Sequence, residues 1–111
     1  MSERIKKVNE LIQVEVSKII KGEVETGTDT LITVVRAEAS PTLEHATIWI
    51  SVFPSEKEKI TLEKIKDKVY PIQQLLNKRL VMRTVPKIRF EIDKSEERAS
   101  RIEEIIDRIK E

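Results

Sequence analysis

Between Leu62 and Leu80 the apolar residues Leu62, Ile65, Val69, Ile72, Leu76 and Leu80 recur at steps of three or four, and Pro71 stands inside the run. Such spacing lays one continuous stripe along an α-helix. Pro71 has no N–H to offer the carbonyl of Asp67, and its ring crowds that carbonyl, so an unbroken helix would lose about 3 kcal/mol here. The proline also biases Tyr70 toward extended backbone angles. The expectation is two short helices meeting at a sharp joint at Pro71. Beyond Leu80 the period changes. Ile88, Phe90 and Ile92 alternate with Lys87, Arg89, Glu91 and Asp93, the pattern of a strand with one buried face.

The remaining elements fall around this unit. Ser2 is placed to cap a first helix whose apolar face carries Ile5, Val8, Leu11, Ile12, Val16, Ile19 and Ile20, closed by Lys21-Gly22. Residues 23–30, EVETGTDT, form an acidic connection in which Gly27 is expected to take a positive φ. Leu31–Ser40 and His45–Phe53 read as strands joined through Pro41-Thr42-Leu43-Glu44 into an antiparallel hairpin. On the second of them Ala46, Ile48, Ile50 and Val52 share one face, leaving His45, Thr47, Trp49, Ser51 and Phe53 on the other. Pro54-Ser55-Glu56 ends that strand, with Ser55 set to cap the next helix. Ser95 starts a last helix with the stripe Ala99, Ile102, Ile105, Ile106 and Ile109.

The order is helix, strand, strand, kinked helix pair, strand, helix. It describes one α+β domain over residues 1–111, in which helices on one face cover a three-stranded mixed sheet. The bend is expected to bring the third strand back antiparallel to the second, beside and parallel to the first.

Composition narrows the function classes. The chain has 111 residues, enough for one core. It has no Cys, which excludes disulfides, thiolate metal sites and a cysteine nucleophile and fits a reducing cytosol. No apolar run is long enough to span a bilayer, and no signal peptide precedes the first helix. A net charge of +1 argues for no partner, but its distribution does. Residues 23–30 carry three acids and no base, whereas 77–94 carry six positive charges against two negative. Such a local excess is the electrostatic footprint of a phosphate-binding surface. A solvated turn with ordinary lysines is the plainer alternative.

The residues that would carry that surface are Lys78, Arg79, Arg83, Lys87 and Arg89, on the second half-helix, the following turn and the outward face of the third strand. Lys64 and Lys68, on the polar side of the first half-helix, would extend it across the joint. Arginine forks onto phosphate and lysine supplies a point charge, so the set suits RNA read by shape and backbone. Lys87 and Arg89 would equally serve to keep the sheet soluble. Trp49 would either stack on a base or fill a partner's pocket, or else cover its own sheet beside Arg36 or Arg89. His45 is the only histidine, with Glu44 its nearest acid in sequence. With no second His, no Cys and no serine in a nucleophile elbow, no catalytic or metal site is expected, and no cofactor.

The wording of the chain resembles the bacterial ribosome-binding factor A family, a single-domain relative of the type II KH fold. The likeness is densest in Ala39-Ser40-Pro41 to Glu44-His45-Ala46-Thr47-Ile48-Trp49-Ile50-Ser51, and in Leu76-Asn77-Lys78-Arg79-Leu80 through Arg83-Thr84-Val85-Pro86-Lys87-Ile88-Arg89-Phe90. It continues through Asp93–Ser95 and Ala99-Ser100-Arg101-Ile102. KH domains clamp phosphates with Gly-x-x-Gly, which the family lacks as this chain does, carrying Ala-x-Gly at a helix kink instead. There are two departures from the family: that kink is replaced by Lys68-Val69-Tyr70 followed by Pro71, and contacts of the longer basic tail of some members are not expected. The resemblance implies a non-enzymatic, cytoplasmic and monomeric assembly factor that binds the small (30S) ribosomal subunit and its rRNA. It further implies help with late maturation and 5′-end processing, with release left to a GTPase or to the completed rRNA fold. The alternatives are a KH-like RNA-binding module, or a protein-interaction domain, not tied to the ribosome.

Overall fold

The computed structural model describes residues 3–95. In chain order it holds α1 (Glu3–Glu23), β1 (Leu31–Ala39), β2 (His45–Phe53), a 3-10 turn (Ser55–Lys57), α2 (Glu58–Asp67), α3 (Val69–Arg79) and β3 (Lys87–Ile92). The expected cap at Ser2 and all but the first residue of the expected last helix lie outside the described residues. Ser55 makes no capping bond. It opens the 3-10 turn instead, and α2 begins three residues later without a side-chain cap.

β1 and β2 pair antiparallel from Leu31↔Phe53 to Ala39↔Ala46, as the hairpin reading requires. The register slips between Val34 and Arg36. Val35 is the extra residue of a bulge, and the slip reverses the side-chain alternation. Ile32 and Val34 point to the helices before it, Ala37 and Ala39 after it, so Arg36 and Glu38 are sent to the open face.

β3 does not follow the expected course. It pairs with β2, in parallel, from His45↔Lys87 to Ile50↔Ile92, and the sheet order is β1-β2-β3. β2 ends at Phe53 and β3 begins opposite His45, so the chain recrosses the whole sheet before re-entering it, as a parallel crossover must. The outer edge of β1 is already occupied. Asn9 Oδ1 accepts the Ala39 N–H at 2.8 Å, and Gln13 Nε2 donates to the carbonyls of Val34 at 3.3 Å and Val35 at 3.0 Å. α1 thus supplies the hydrogen bonds that another strand would make, which blunts an edge otherwise open to pairing. Replacing both Asn9 and Gln13 by alanine is expected to cost about 1–3 kcal/mol and to raise aggregation on heating, read by urea denaturation and light scattering.

The helix pair is bent, one turn earlier than expected. α2 ends at Asp67, and Lys68 carries the break at φ −104°, ψ 9°. Pro71 is the third residue of α3, where a helical N–H has no partner within the helix, so the missing donor costs nothing there and Tyr70 stays helical. The carbonyl that Pro71 cannot serve belongs to Asp67, the last residue of α2. Gly27 does not take a positive φ either. Among the described residues only Leu43 does, at φ 62°.

All three helices pack on one sheet face. Ile12 and Val16 from α1, Ile48 and Ile50 from β2, Ile65 from α2, and Ile72 and Leu76 from α3 are fully excluded from water. Leu11, expected on the apolar face, is 45% exposed at its margin.

Candidate nucleic-acid interface

α1 runs the length of the helical layer, about 30 Å over 21 residues, and its two ends mark two different surfaces. At its C-terminal end Lys64 and Lys68 line an open cleft of about 540 Å³ with Glu23, Glu25 and Asp67. α3 then runs back along α1, and its Arg79 meets Glu15 of α1 at 3.2 Å. The loop after α3 reaches the other end, where Arg83 lines a groove with Arg4 of α1 and with Thr42 and Leu43 of the hairpin turn.

That loop is held on both sides. Leu80 is buried, and Lys87 N–H donates to the Glu44 carbonyl at 3.0 Å, joining the start of β3 to the mouth of the hairpin. Gln73 of α3 acts on the free edge of β3 as Asn9 and Gln13 act on β1. Its Nε2 donates to the Pro86 carbonyl at 3.1 Å and its Oε1 accepts the Ile88 N–H at 2.9 Å. With Ile88 and Phe90 buried beneath the sheet, Lys87 and Arg89 are turned outward. Arg89 donates from Nε to Thr47 Oγ1 at 3.2 Å and lines a second cleft, of about 500 Å³, with His45 and Ser40.

The seven residues read from the sequence therefore do not form one patch. Arg83, Lys87 and Arg89 lie at the hairpin end but on two faces of it: Arg83 on the helix side beside Arg4, Lys87 and Arg89 on the open face of the sheet. Lys78 is exposed near the end of α3, and Arg79 is drawn into the helical layer by Glu15, which also lies 3.7 Å from Lys18. Lys64 and Lys68 stand at the far end among acids, so they do not extend the hairpin-end surface across the joint. Arg4 joins the hairpin-end group unannounced. On the sequence it is one cation among several in a core helix, and only the packing of α1 beside the loop brings it next to Arg83. Among the described residues the side chains of Arg4, Arg83 and Lys87 make no ion pair or hydrogen bond. No group of three metal-ligating side chains occurs among the described residues.

The open sheet face holds a different cluster. The Arg36 guanidinium lies 4.7 Å from the centre of the Trp49 ring, one of the two covers expected for it. It also bonds Glu38 at 2.7 Å and Asp93 at 2.9 Å, and these acids, Glu38 first, hold its pKa above the ordinary value. Asp93 is lowered below the usual carboxylate range, first by its hydrogen bonds from Ser95 and then by Arg36. A lowered carboxylate adds stability that is complete at neutral pH and disappears as acid protonates it. Arg36 is thus committed to its neighbours, and Trp49 is covered.

Comparison with known proteins places this architecture. The family model for Ribosome-binding factor A matches residues 4–106. Ribosome-binding factor A of Halothermothrix orenii is 34% identical over 110 residues, covering 98% of this chain and 90% of that one. The Caldicellulosiruptor bescii protein of the same name is 32% identical over 111 residues, covering 96% and 84%. Among solved structures, the Thermus thermophilus ribosome-binding factor A crystal structure superposes with a TM-score of 0.67 at 16% identity, over 79% of this chain and 93% of that one. A homology model of the Thermus thermophilus factor, as fitted into a cryo-EM map of a 30S complex, gives 0.65 at 17% identity, over 78% and 91%. The solved folds agree in architecture, and the sequence relatives and the family match carry the assignment further: this chain, a three-stranded sheet backed by a broken helix pair, belongs to the ribosome-binding factor A family.

Proposed function

We propose that this ribosome-binding factor is a non-enzymatic assembly factor that binds the small ribosomal subunit through its rRNA, with the hairpin end as the contact surface. The observation that carries the RNA contact is that Arg4 and Arg83, on the helix side, and Lys87 and Arg89, on the open sheet face, flank the same hairpin end, with Arg4, Arg83 and Lys87 unpaired among the described residues, while Arg36 and Arg79 are neutralised elsewhere. A relative of the same fold has been fitted into a 30S complex, which supports the small subunit as the partner. The phosphate-clamping glycines of KH domains are missing from the α2–α3 joint, and the hairpin end supplies cations in their place. Binding that prefers one rRNA conformation shifts the folding equilibrium by its differential affinity alone, and late maturation, including 5′-end processing, then proceeds on the favoured form. A GTPase or the finished rRNA fold would release the factor. Both outer sheet edges carry side-chain bonds from helices, in keeping with a monomer, and a cytoplasmic place of work follows from the partner. No helix of the described residues is long and apolar enough to cross a membrane.

Sedimentation of the full chain with purified small subunits over a salt series tests this. Four phosphate contacts predict a log–log salt slope of about −3, so that fourfold more salt weakens binding by nearly two orders of magnitude. Binding that ignores salt would instead favour a protein contact, for which Leu31 and Phe53, cross-strand partners 63% and 71% exposed, form one exposed apolar surface.

A further inference from the structure

The groove between the hairpin turn and the loop after α3 has a chemistry that a plain phosphate-binding surface does not need. It holds about 570 Å³, in the range of sites that take small ligands. Arg4 and Arg83 are its cations against one acid, Glu44, and Leu43 and Val81 stand among its apolar walls. Val81 is completely exposed, the barest large apolar side chain among the described residues. Leu43 holds its place at a positive φ, which strains any residue with a Cβ, and such strain persists where the surrounding structure imposes it. The N–H of Leu43 donates to the Ser40 carbonyl at 2.9 Å, and the Ser40 hydroxyl accepts from the N–H groups of Glu44 and His45, so the turn is held in this form.

The geometry points to this groove as the seat of one unpaired RNA nucleotide, its base against Leu43 and Val81 and its flanking phosphates on Arg4 and Arg83. The inference rests on the RNA-binding reading of the hairpin end and makes it narrower. A continuous duplex offers a protein phosphates and 2′-hydroxyls while its bases stay stacked inside, so it would leave Leu43 and Val81 facing water or sugar. A base turned out of a bulge or loop offers them an apolar face, and guanidinium groups both fork onto phosphate and stack on a base plane. An acidic peptide would satisfy the arginines as well, but the strained turn, the bare valine and paired guanidiniums match a flat base between two phosphates more closely.

The test is fluorescence anisotropy of the full chain with two RNA hairpins identical except that one carries a single unpaired adenosine in its stem, at one fixed low salt. Wild type is expected to bind the bulged hairpin at least about fivefold more tightly, from burial of the one freed base against Leu43 and Val81. Val81→Ser, at a fully exposed position, and Leu43→Asn, whose new side chain tolerates the same backbone angle, are expected to bring that ratio to about one. Affinity for the fully paired hairpin should not change. If wild type binds both hairpins equally, the inference is overturned, the RNA-binding reading survives, and the groove is left to an acidic protein partner. A preference that persists in both variants overturns it as well. If wild type binds neither hairpin, the RNA-binding reading itself fails and takes the inference with it.

Discussion

An Arg83→Glu/Lys87→Glu/Arg89→Glu variant is expected to lose at least about a hundredfold in affinity for small subunits, with its salt slope flattened toward zero. Each phosphate contact removed takes about one unit from that slope, and each acid introduced adds repulsion against the RNA backbone. The three side chains are exposed and bear on no buried group, so the fold should be unaffected, which circular dichroism will verify. The informative control is Lys64→Glu/Lys68→Glu. These lysines stand about one helix length away, beside Glu23, Glu25 and Asp67, and their reversal is expected to change affinity by no more than about threefold. A larger effect from this pair than from the triple variant would move the interface to the α2–α3 joint and refute the assignment of the hairpin end. Arg79 belongs in neither set, since its reversal would place a glutamate against Glu15 and disturb the contact between α1 and α3.

For stability the largest expected effect is at the centre of β2. Ile48→Ala should cost about 2–5 kcal/mol, because Ile48 is fully buried where the helical layer meets the middle strand and the surrounding isoleucines cannot close the space. Domains of this size have only about 5–15 kcal/mol to lose, so a measurable unfolded fraction is expected at growth temperature. Urea denaturation should show a lower midpoint with an unchanged slope. Leu31→Ala, on an exposed side chain of the neighbouring strand, should change stability by less than about 0.5 kcal/mol. Equal losses at the two positions would mean that the core is not centred on β2.

Much of this was readable before any coordinates. The alternation from Ala46 to Val52 and the residues of the Pro41–Glu44 turn announce the hairpin, because sheet periodicity and turn chemistry act over a few neighbouring residues. The stripes of α1, α2 and α3 are equally local. The bulge at Val35 was legible in principle, since Val34-Val35 puts two β-branched residues in succession and the small residues resume out of step at Ala37. Pro71 signals a break, but the break falls at Lys68, three residues before it. The residue that loses a partner is four positions before the proline, and a proline in the first turn of a helix gives up no bond.

The local code of this chain determined its elements, their buried faces and the basic run from Lys78 to Arg89, since each depends on residues within a turn or two of one another. Only the tertiary structure decided which edge of the sheet β3 joins. The two outer edges that result are covered by Asn9, Gln13 and Gln73, whose amides look like ordinary polar helix residues until packing lays them along an exposed strand. The same packing separated Lys64 and Lys68 from Arg83 and brought Arg4 to it, because charges cluster by distance through space, and a helix of 21 residues carries its two ends to opposite sides of the molecule.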